Sequence, residues 1–356
     1  MPRLVVLDAV GPGFVDGLVR AWDDGDAVLP LDPLLPPPAR AGLLASASPD
    51  EPVEPGDALV VATSGTDGDP KLVVLTHDAV VASARATSAR LAVDPATDRW
   101  LACLPLGHVG GLGVVTRALH TGTPLTVHER FDADAVQRAA TEGCTLTSLV
   151  PTALARIDPG RFRLILVGGQ APPADRPAHV LATYGLTETG GGIAYEGRPL
   201  DGVEVRTAAD GELEVRGPML LRAYRDGRDP RSVEGWLPTG DLGVVRDGVV
   251  EVQGRRGDLI ITGGENVWPT VVERVLLRHP AVAEVAVVGR PDAEWGQRVV
   301  AVVVPADPAA PPDLGALRAH AKDHLHPHAA PTVLELVDAL PRTALGKVRR
   351  SALIQG

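Results

Sequence analysis

Thr63-Ser64-Gly65-Thr66-Asp67-Gly68-Asp69-Pro70-Lys71 lies between two apolar, β-branched runs, Ala58 to Ala62 and Leu72 to Leu75. That order reads as strand, tight loop, strand. Glycines let backbone N–H groups turn toward an anion. The hydroxyls add neutral donors, and Lys71 adds a point charge. The loop therefore reads as a polyphosphate cradle, although Gly, Ser, Thr, Asp and Pro are also ordinary loop residues. It is not a Walker A loop, which ends in Gly-Lys-Ser/Thr, whereas here the order is Pro70-Lys71-Leu72.

Around this stretch the chain alternates. Thr76 can cap a helix from about His77 to Leu91. Trp100 to Leu104, Thr145 to Val150, Leu164 to Val167 and His179 to Tyr184 read as strands. Helices from Asp132 to about Glu142 and from Pro151 fall between them. Alternation of this kind predicts α/β layers with sites at strand ends. Upstream, Pro30 to Pro38 reads as an extended connector, and residues 1–57 show no chemistry. From Gly202 the pattern changes to short strands around turns, a β-rich portion. Beyond it, a helix from Pro269, paired strands at Glu284–Val288 and Arg298–Val303, and a helix from Leu314 to Leu325 predict a small α+β domain. The expected fold class is thus α/β, with a large N-terminal domain (1–255) and a small C-terminal one (256–356).

Bulk properties narrow the function. With 356 residues the chain is long enough for two domains with real cores. A formal charge of −11 argues against binding nucleic acid or an anionic membrane broadly. An anionic substrate then needs a local donor cluster, and the loop is one. The 2 cysteines, Cys103 and Cys144, have no metal or disulfide spacing and read as buried hydrophobes. The start lacks the apolar core of a signal peptide, and no run approaches the roughly 18 apolar residues of a membrane span. The expectation is a cytoplasmic enzyme, with a homodimer as the assembly to test.

Strand ends carry the other candidates. His108 stands between the strand ending at Leu104 and a Gly-rich helix start. It either points into a cleft or bonds backbone. Gly168 and Gly169 let a planar ring approach the backbone, and Tyr184 can stack on it. Thr187 can donate to a phosphate and Glu188 can hold Mg²⁺. Asp241, behind Gly240, can accept both hydroxyls of a ribose, or simply close a turn.

The loop resembles the phosphate-loop signature Thr-Ser-Gly-Thr-Thr-Gly-x-Pro-Lys-Gly of the acyl-adenylate-forming enzymes. It departs from it at Asp67 and Leu72. The resemblance runs from about residue 58 to 356 and includes Tyr184-Gly185-Leu186-Thr187-Glu188-Thr189, Thr239-Gly240-Asp241-Leu242, Gly254-Arg255-Arg256-Gly257-Asp258 and Pro341-Arg342-Thr343-Ala344-Leu345-Gly346-Lys347. It implies ATP, Mg²⁺ and coenzyme A as co-substrates of a small carboxylic acid. Phosphate would lie at Thr63, Ser64, Gly65, Thr66, Gly68 and Lys71, and adenine at Gly168, Gly169, Gln170, Tyr184 and Gly185. Thr187 and Glu188 would take phosphate and metal. Asp241 would bind ribose, and Arg255 ribose and phosphate.

The same resemblance makes Lys347 the catalytic lysine of a mobile lid, Gly257 its hinge, and Gly263-Gly264 the pantetheine-facing turn. His108, Gly190 and Gly191 fall on the acid side. Within the family the chain looks most like the compact o-succinylbenzoate–CoA ligases of menaquinone biosynthesis. A ligase for another aryl or acyl acid, or a nucleotide-binding homologue without turnover, stays open on the residues alone.

Overall fold

A computed structural model of the chain describes residues 1–63, 71–169, 175–342 and 348–354. The chain divides into two compact units. The first comprises Met1–Val205, Glu214–Leu237 and Asp247–Val250; the second comprises Arg206–Leu213, Pro238–Arg246 and Glu251–Gly356.

The first unit holds two sheets. One runs in the order Leu4–Asp8, Ala27–Leu31, Asp57–Ala62, Leu72–Thr76, Ala223–Tyr224. Its first three strands pair in parallel, and the strands on either side of the 63–71 loop pair antiparallel. The other sheet is parallel from Val180–Leu186 through Leu164–Val167, Leu146–Leu149 and Trp100–Ala102 to Leu125–Val127. Gly191–Tyr195 and Arg198–Pro199 extend it antiparallel. Helices such as Gly11–Asp23, His77–Arg90 and Val109–Thr121 link these strands. Strands of parallel sheets are covered on both faces, which is why Ala27–Leu31 and Leu146–Leu149 are buried at every position.

Local chemistry accounts for several boundaries. Thr76 Oγ1 accepts from the Ala79 N–H at 3.2 Å and starts the helix as the sequence predicts. Pro151 and Pro269 open their helices, where a missing N–H costs nothing. Pro30 to Pro38 is not an extended connector. Pro30 and Leu31 finish a buried strand, and Pro37 opens the helix Pro37–Ala47. Proline is tolerated at Pro30 because pairing to the neighbouring strand Asp57–Ala62 is confined to Val28 against Leu59.

The second unit is α+β. Its longest feature is the hairpin Val282–Asp292 and Gly296–Pro305, paired residue by residue from Glu284–Val304 to Asp292–Gly296. Val333–Leu336 joins it in parallel, and Ile260–Thr262 and Glu265–Val267 complete the sheet. Helices Pro269–Leu276 and Leu314–Lys322 contribute to a separate core, with Leu276 and Leu317 fully buried. Arg350 ties this unit together: its guanidinium reaches Glu273 at 2.8 Å and Asp258 at 3.3 Å.

Candidate active site

The base of the early loop is a two-bond clamp. The Thr63 N–H donates to the Lys71 carbonyl (2.8 Å), and the Lys71 N–H donates to Thr63 Oγ1 (3.1 Å). Ser64, Gly65, Thr66 and Gly68 lie outside the described residues, as do Gln170 and Lys347. Lys71 is exposed and makes no ion pair among the described residues. Its ammonium stands 5.3 Å from the ring centre of Tyr224, a cation–π contact.

Glu188 sits in the 3₁₀ turn Thr187–Thr189 that follows strand Val180–Leu186. Buried Thr189 pins the turn: its Oγ1 accepts from the Leu186 N–H (3.0 Å) and lies 2.7 Å from the Gly191 carbonyl. The Glu188 carboxylate accepts a hydrogen bond from the Tyr224 hydroxyl at 3.0 Å. Burial raises the Tyr224 pKa, and the charge of Glu188 raises it further, so the phenol remains a donor. The fold therefore brings Lys71, Glu188 and Tyr224 to one place. Tyr224 belongs to none of the motifs recognised in the sequence.

The glycines here are dictated by close approach. A Cβ on Gly168 would stand 2.6 Å from Thr183 Oγ1, and one on Gly185 only 2.0 Å from the Gly191 carbonyl. Gly169, Gly190 and Gly191 have φ of 83°, 64° and 140°, which favour glycine. Tyr184 is half-buried against the core. Gly192 serves a neighbour instead: its missing side chain makes room for the ring of Tyr195, which an added Cβ would approach to 2.7 Å.

His108 is the N-cap residue of helix Val109–Thr121 and is half-buried. Its carbonyl accepts from the Leu112 N–H at 2.9 Å. One helix face further on is a second residue outside the motifs. Arg117 is only 5% exposed. It contacts Ser148 Oγ (3.3 Å) and stacks over Trp100 (5.5 Å), but no carboxylate pairs with it among the described residues. Its Nη2 lies 3.1 Å from where a Cβ on Gly113 would be, and 3.6 Å from one on Gly191. A buried guanidinium with only neutral contacts is a strong anion receptor. The signal for it was a charged residue within the apolar helix run Val114-Val115-Thr116-Arg117-Ala118-Leu119.

In the second unit the expected ribose residues meet each other. Asp241 is buried behind Gly240 (φ 73°), and its carboxylate pairs with Arg255 Nε at 3.0 Å. Gly240 and Asp241 lie within the strand Leu237–Arg246 and not at a turn; Thr239 braces it, its Oγ1 donating to the Leu213 carbonyl (2.7 Å) and accepting from the Asp241 N–H (3.0 Å). Gly257 lies in the 3₁₀ turn Arg256–Asp258. Gly263 and Gly264, with φ of 59° and 82°, turn the chain between Ile260–Thr262 and Glu265–Val267. Cys103 and Cys144 are buried, and burial pushes the Cys103 thiol up to about 11. Among the described residues no three His, Cys, Asp or Glu side chains could together hold a metal ion, and no helix is long and apolar enough to cross a membrane.

Residues 17–225 match the family described as AMP-binding enzyme, and residues 271–347 match the AMP-binding enzyme C-terminal domain. The chain belongs to this family of AMP-binding enzymes. Among its relatives, a probable 2-succinylbenzoate–CoA ligase of Mycobacterium tuberculosis (strain CDC 1551 / Oshkosh) is 40% identical over 348 residues, covering 90% of this chain and 89% of the relative. The 2-succinylbenzoate–CoA ligase of Bacillus anthracis (strain A0248) is 35% identical, over 83% of this chain and 69% of its own. Among solved structures, the o-succinylbenzoate CoA synthetase of Bacillus subtilis in complex with the acyl-adenylate intermediate OSB-AMP superposes with a TM-score of 0.88 at 29% identity, covering 99% of this chain and 88% of that one. The same Bacillus subtilis enzyme with ATP and magnesium ion gives 0.87 at 28% identity, covering 99% and 89%.

Proposed function

We propose that the chain is an ATP-dependent acid–thiol ligase that converts o-succinylbenzoate and CoA to o-succinylbenzoyl-CoA, with release of AMP and pyrophosphate. The relatives support the reaction class. The observation that carries the choice of acid is Arg117, a buried cation that forms no ion pair among the described residues. An acid that keeps one carboxylate after the other is activated supplies the missing charge. Gly190 borders a small, mostly apolar cavity lined in part by Leu59, Leu75, Val80 and Leu112.

In this reading the acid's reacting carboxylate attacks the α-phosphorus of ATP and expels pyrophosphate; a thiol then attacks the acyl-adenylate and expels AMP. Charge develops on phosphoryl oxygens, so oriented cations and donors accelerate the first step. Lys71, Thr187 and the loop residues Thr63, Ser64, Gly65, Thr66 and Gly68 serve the phosphates. Gly168, Gly169, Gln170, Tyr184 and Gly185 take adenine, and Asp241 with Arg255 takes ribose. His108, Gly190 and Gly191 face the acid.

Glu188 fits a magnesium ion: a carboxylate held by a neutral phenol retains its full charge, and magnesium commonly uses one carboxylate plus substrate phosphates rather than an all-protein cage. Bound there, the ion neutralises phosphate charge. Residues 1–255 and 256–356 act as body and lid, Lys347 supplies a second ammonium for adenylation, Gly257 is the hinge, and Gly263-Gly264 admit the thiol. The cytoplasm, where ATP and CoA are held, is the proposed place of action.

Incubation with ATP, Mg²⁺, CoA and o-succinylbenzoate, read by mass, should give the acyl-AMP and acyl-CoA of that acid. A panel in which a monocarboxylic acid reacts and o-succinylbenzoate does not would overturn the choice of acid.

A further inference from the structure

We infer that Tyr224 is a positioning residue that holds Glu188 and Lys71 ready for a metal-bound triphosphate while keeping the two from neutralising each other. The inference rests on the phosphate-and-metal reading of Glu188 and Lys71 given above. Opposite charges on neighbouring strand ends have an obvious alternative, a direct ion pair. Such a pair would leave neither charge for a ligand. Instead one aromatic side chain stands against both. Its hydroxyl donates to Glu188 at 3.0 Å, and its ring faces the Lys71 ammonium at 5.3 Å. A neutral donor orients the carboxylate and leaves its charge whole. A ring face attracts the ammonium without removing its charge or its three N–H donors.

The tyrosine is itself held rigidly. Tyr224 pairs with Val73 and Ala223 with Val74, so this two-residue strand borders the strand that follows Lys71. On one side Arg222 forms an ion pair with buried Asp57 (2.8 Å). On the other, the Arg225 guanidinium donates to the carbonyls of Ala47, Ser48, Glu51 and Pro52. The Leu221 N–H donates to the Glu188 carbonyl at 2.7 Å, which fixes the turn against the same segment. A second cation, Arg228, lies 5.0 Å from the ring centre. The Arg222 ion pair, the Arg225 bonds and the Leu221 bond anchor this two-residue strand from both sides and set the hydroxyl where Glu188 requires it. A supporting contact of this type commonly changes metal affinity by roughly 10- to 100-fold when removed.

Calorimetric binding of ATP to the intact protein, with and without Mg²⁺ and with no acid or CoA present, tests the role apart from the identity of the acid. Y224F keeps the ring and loses the donor. It should weaken Mg²⁺-dependent ATP binding by roughly tenfold while leaving Mg²⁺-free binding unchanged. Y224L loses both contacts and should weaken both arms. Adding Y224F to E188Q should produce no further loss, because the hydroxyl acts through that carboxylate. Y224F binding Mg²⁺-ATP as tightly as the natural protein, or weakening both arms equally, overturns the proposal. So does Y224F failing to fold, since the hydroxyl is then an element of the fold. A natural protein that binds ATP without any Mg²⁺ dependence overturns the reading of Glu188 itself, and the role of Tyr224 falls with it.

Discussion

Glu188, in a 3₁₀ turn, and Asp241, within the strand Leu237–Arg246, are both carboxylates, and their neighbours treat them in opposite ways. Glu188 is held by a phenol that carries no charge. Asp241 is held by the guanidinium of Arg255, 3.0 Å away. The first keeps a full negative charge to offer; the second is electrostatically matched before any ligand arrives. A divalent cation requires the first arrangement. A sugar diol requires only two well-aimed acceptor oxygens, for which the second is adequate and more rigid. The neighbour of a carboxylate therefore says more about its use than the carboxylate itself.

That contrast can be broken most sharply by isosteric loss of charge. E188Q should slow acyl-AMP formation by about 100-fold at fixed Mg²⁺, the scale of losing electrostatic stabilisation of the developing phosphoryl charge. D241N keeps an acceptor and should lose roughly tenfold, mainly in the KM for ATP, the scale of one hydrogen bond. Equal losses in the two variants would show that both carboxylates work through charge and would remove the distinction drawn here.

Arg117 extends the comparison to a buried cation that forms no ion pair among the described residues. R117M keeps an unbranched chain out to the Nε position and removes the charge. It should raise the KM for o-succinylbenzoate by about 50-fold and leave monocarboxylic acids little changed. It should also make the protein about 1 kcal/mol more stable, because a buried charge with only neutral contacts is costly to the fold. Chemical denaturation reads the second effect. A destabilised R117M would place Arg117 among the structural residues.

The smallest effect concerns pH. His77 and His120 flank Trp22, with ring centres 5.2 and 5.4 Å away, and burial lowers both pKa values below the ordinary 6.5. The fold holds them neutral, whereas the unfolded chain takes up protons below that value. Their stabilising contribution is therefore complete above pH 6.5 and is lost as pH falls toward the folded values. Tm should drop between roughly pH 7.5 and pH 5.5, and H120L should shrink the drop by about 2 °C. An unchanged drop in H120L would assign the acid sensitivity to other groups.

Local rules made much of this fold legible. Thr76 and Pro151 marked helix starts, and the apolar runs marked strands, because caps and periodicity act within a few residues. Tyr224 and Arg117 were not legible. Their partners Glu188 and Ser148 lie 36 and 31 positions away, and only the packing of one sheet or helix against another brings them together. Pro30 to Pro38 was misread because proline content was weighed without the strand that buries Pro30 or the helix that Pro37 begins. The space beside Gly192 belongs to Tyr195, a packing choice that no short window of sequence displays.

Arg350 grips Glu273 on one helix and Asp258 in the turn that contains Gly257. One guanidinium thus couples the helix to the turn, so a substitution that removes it frees both carboxylates together.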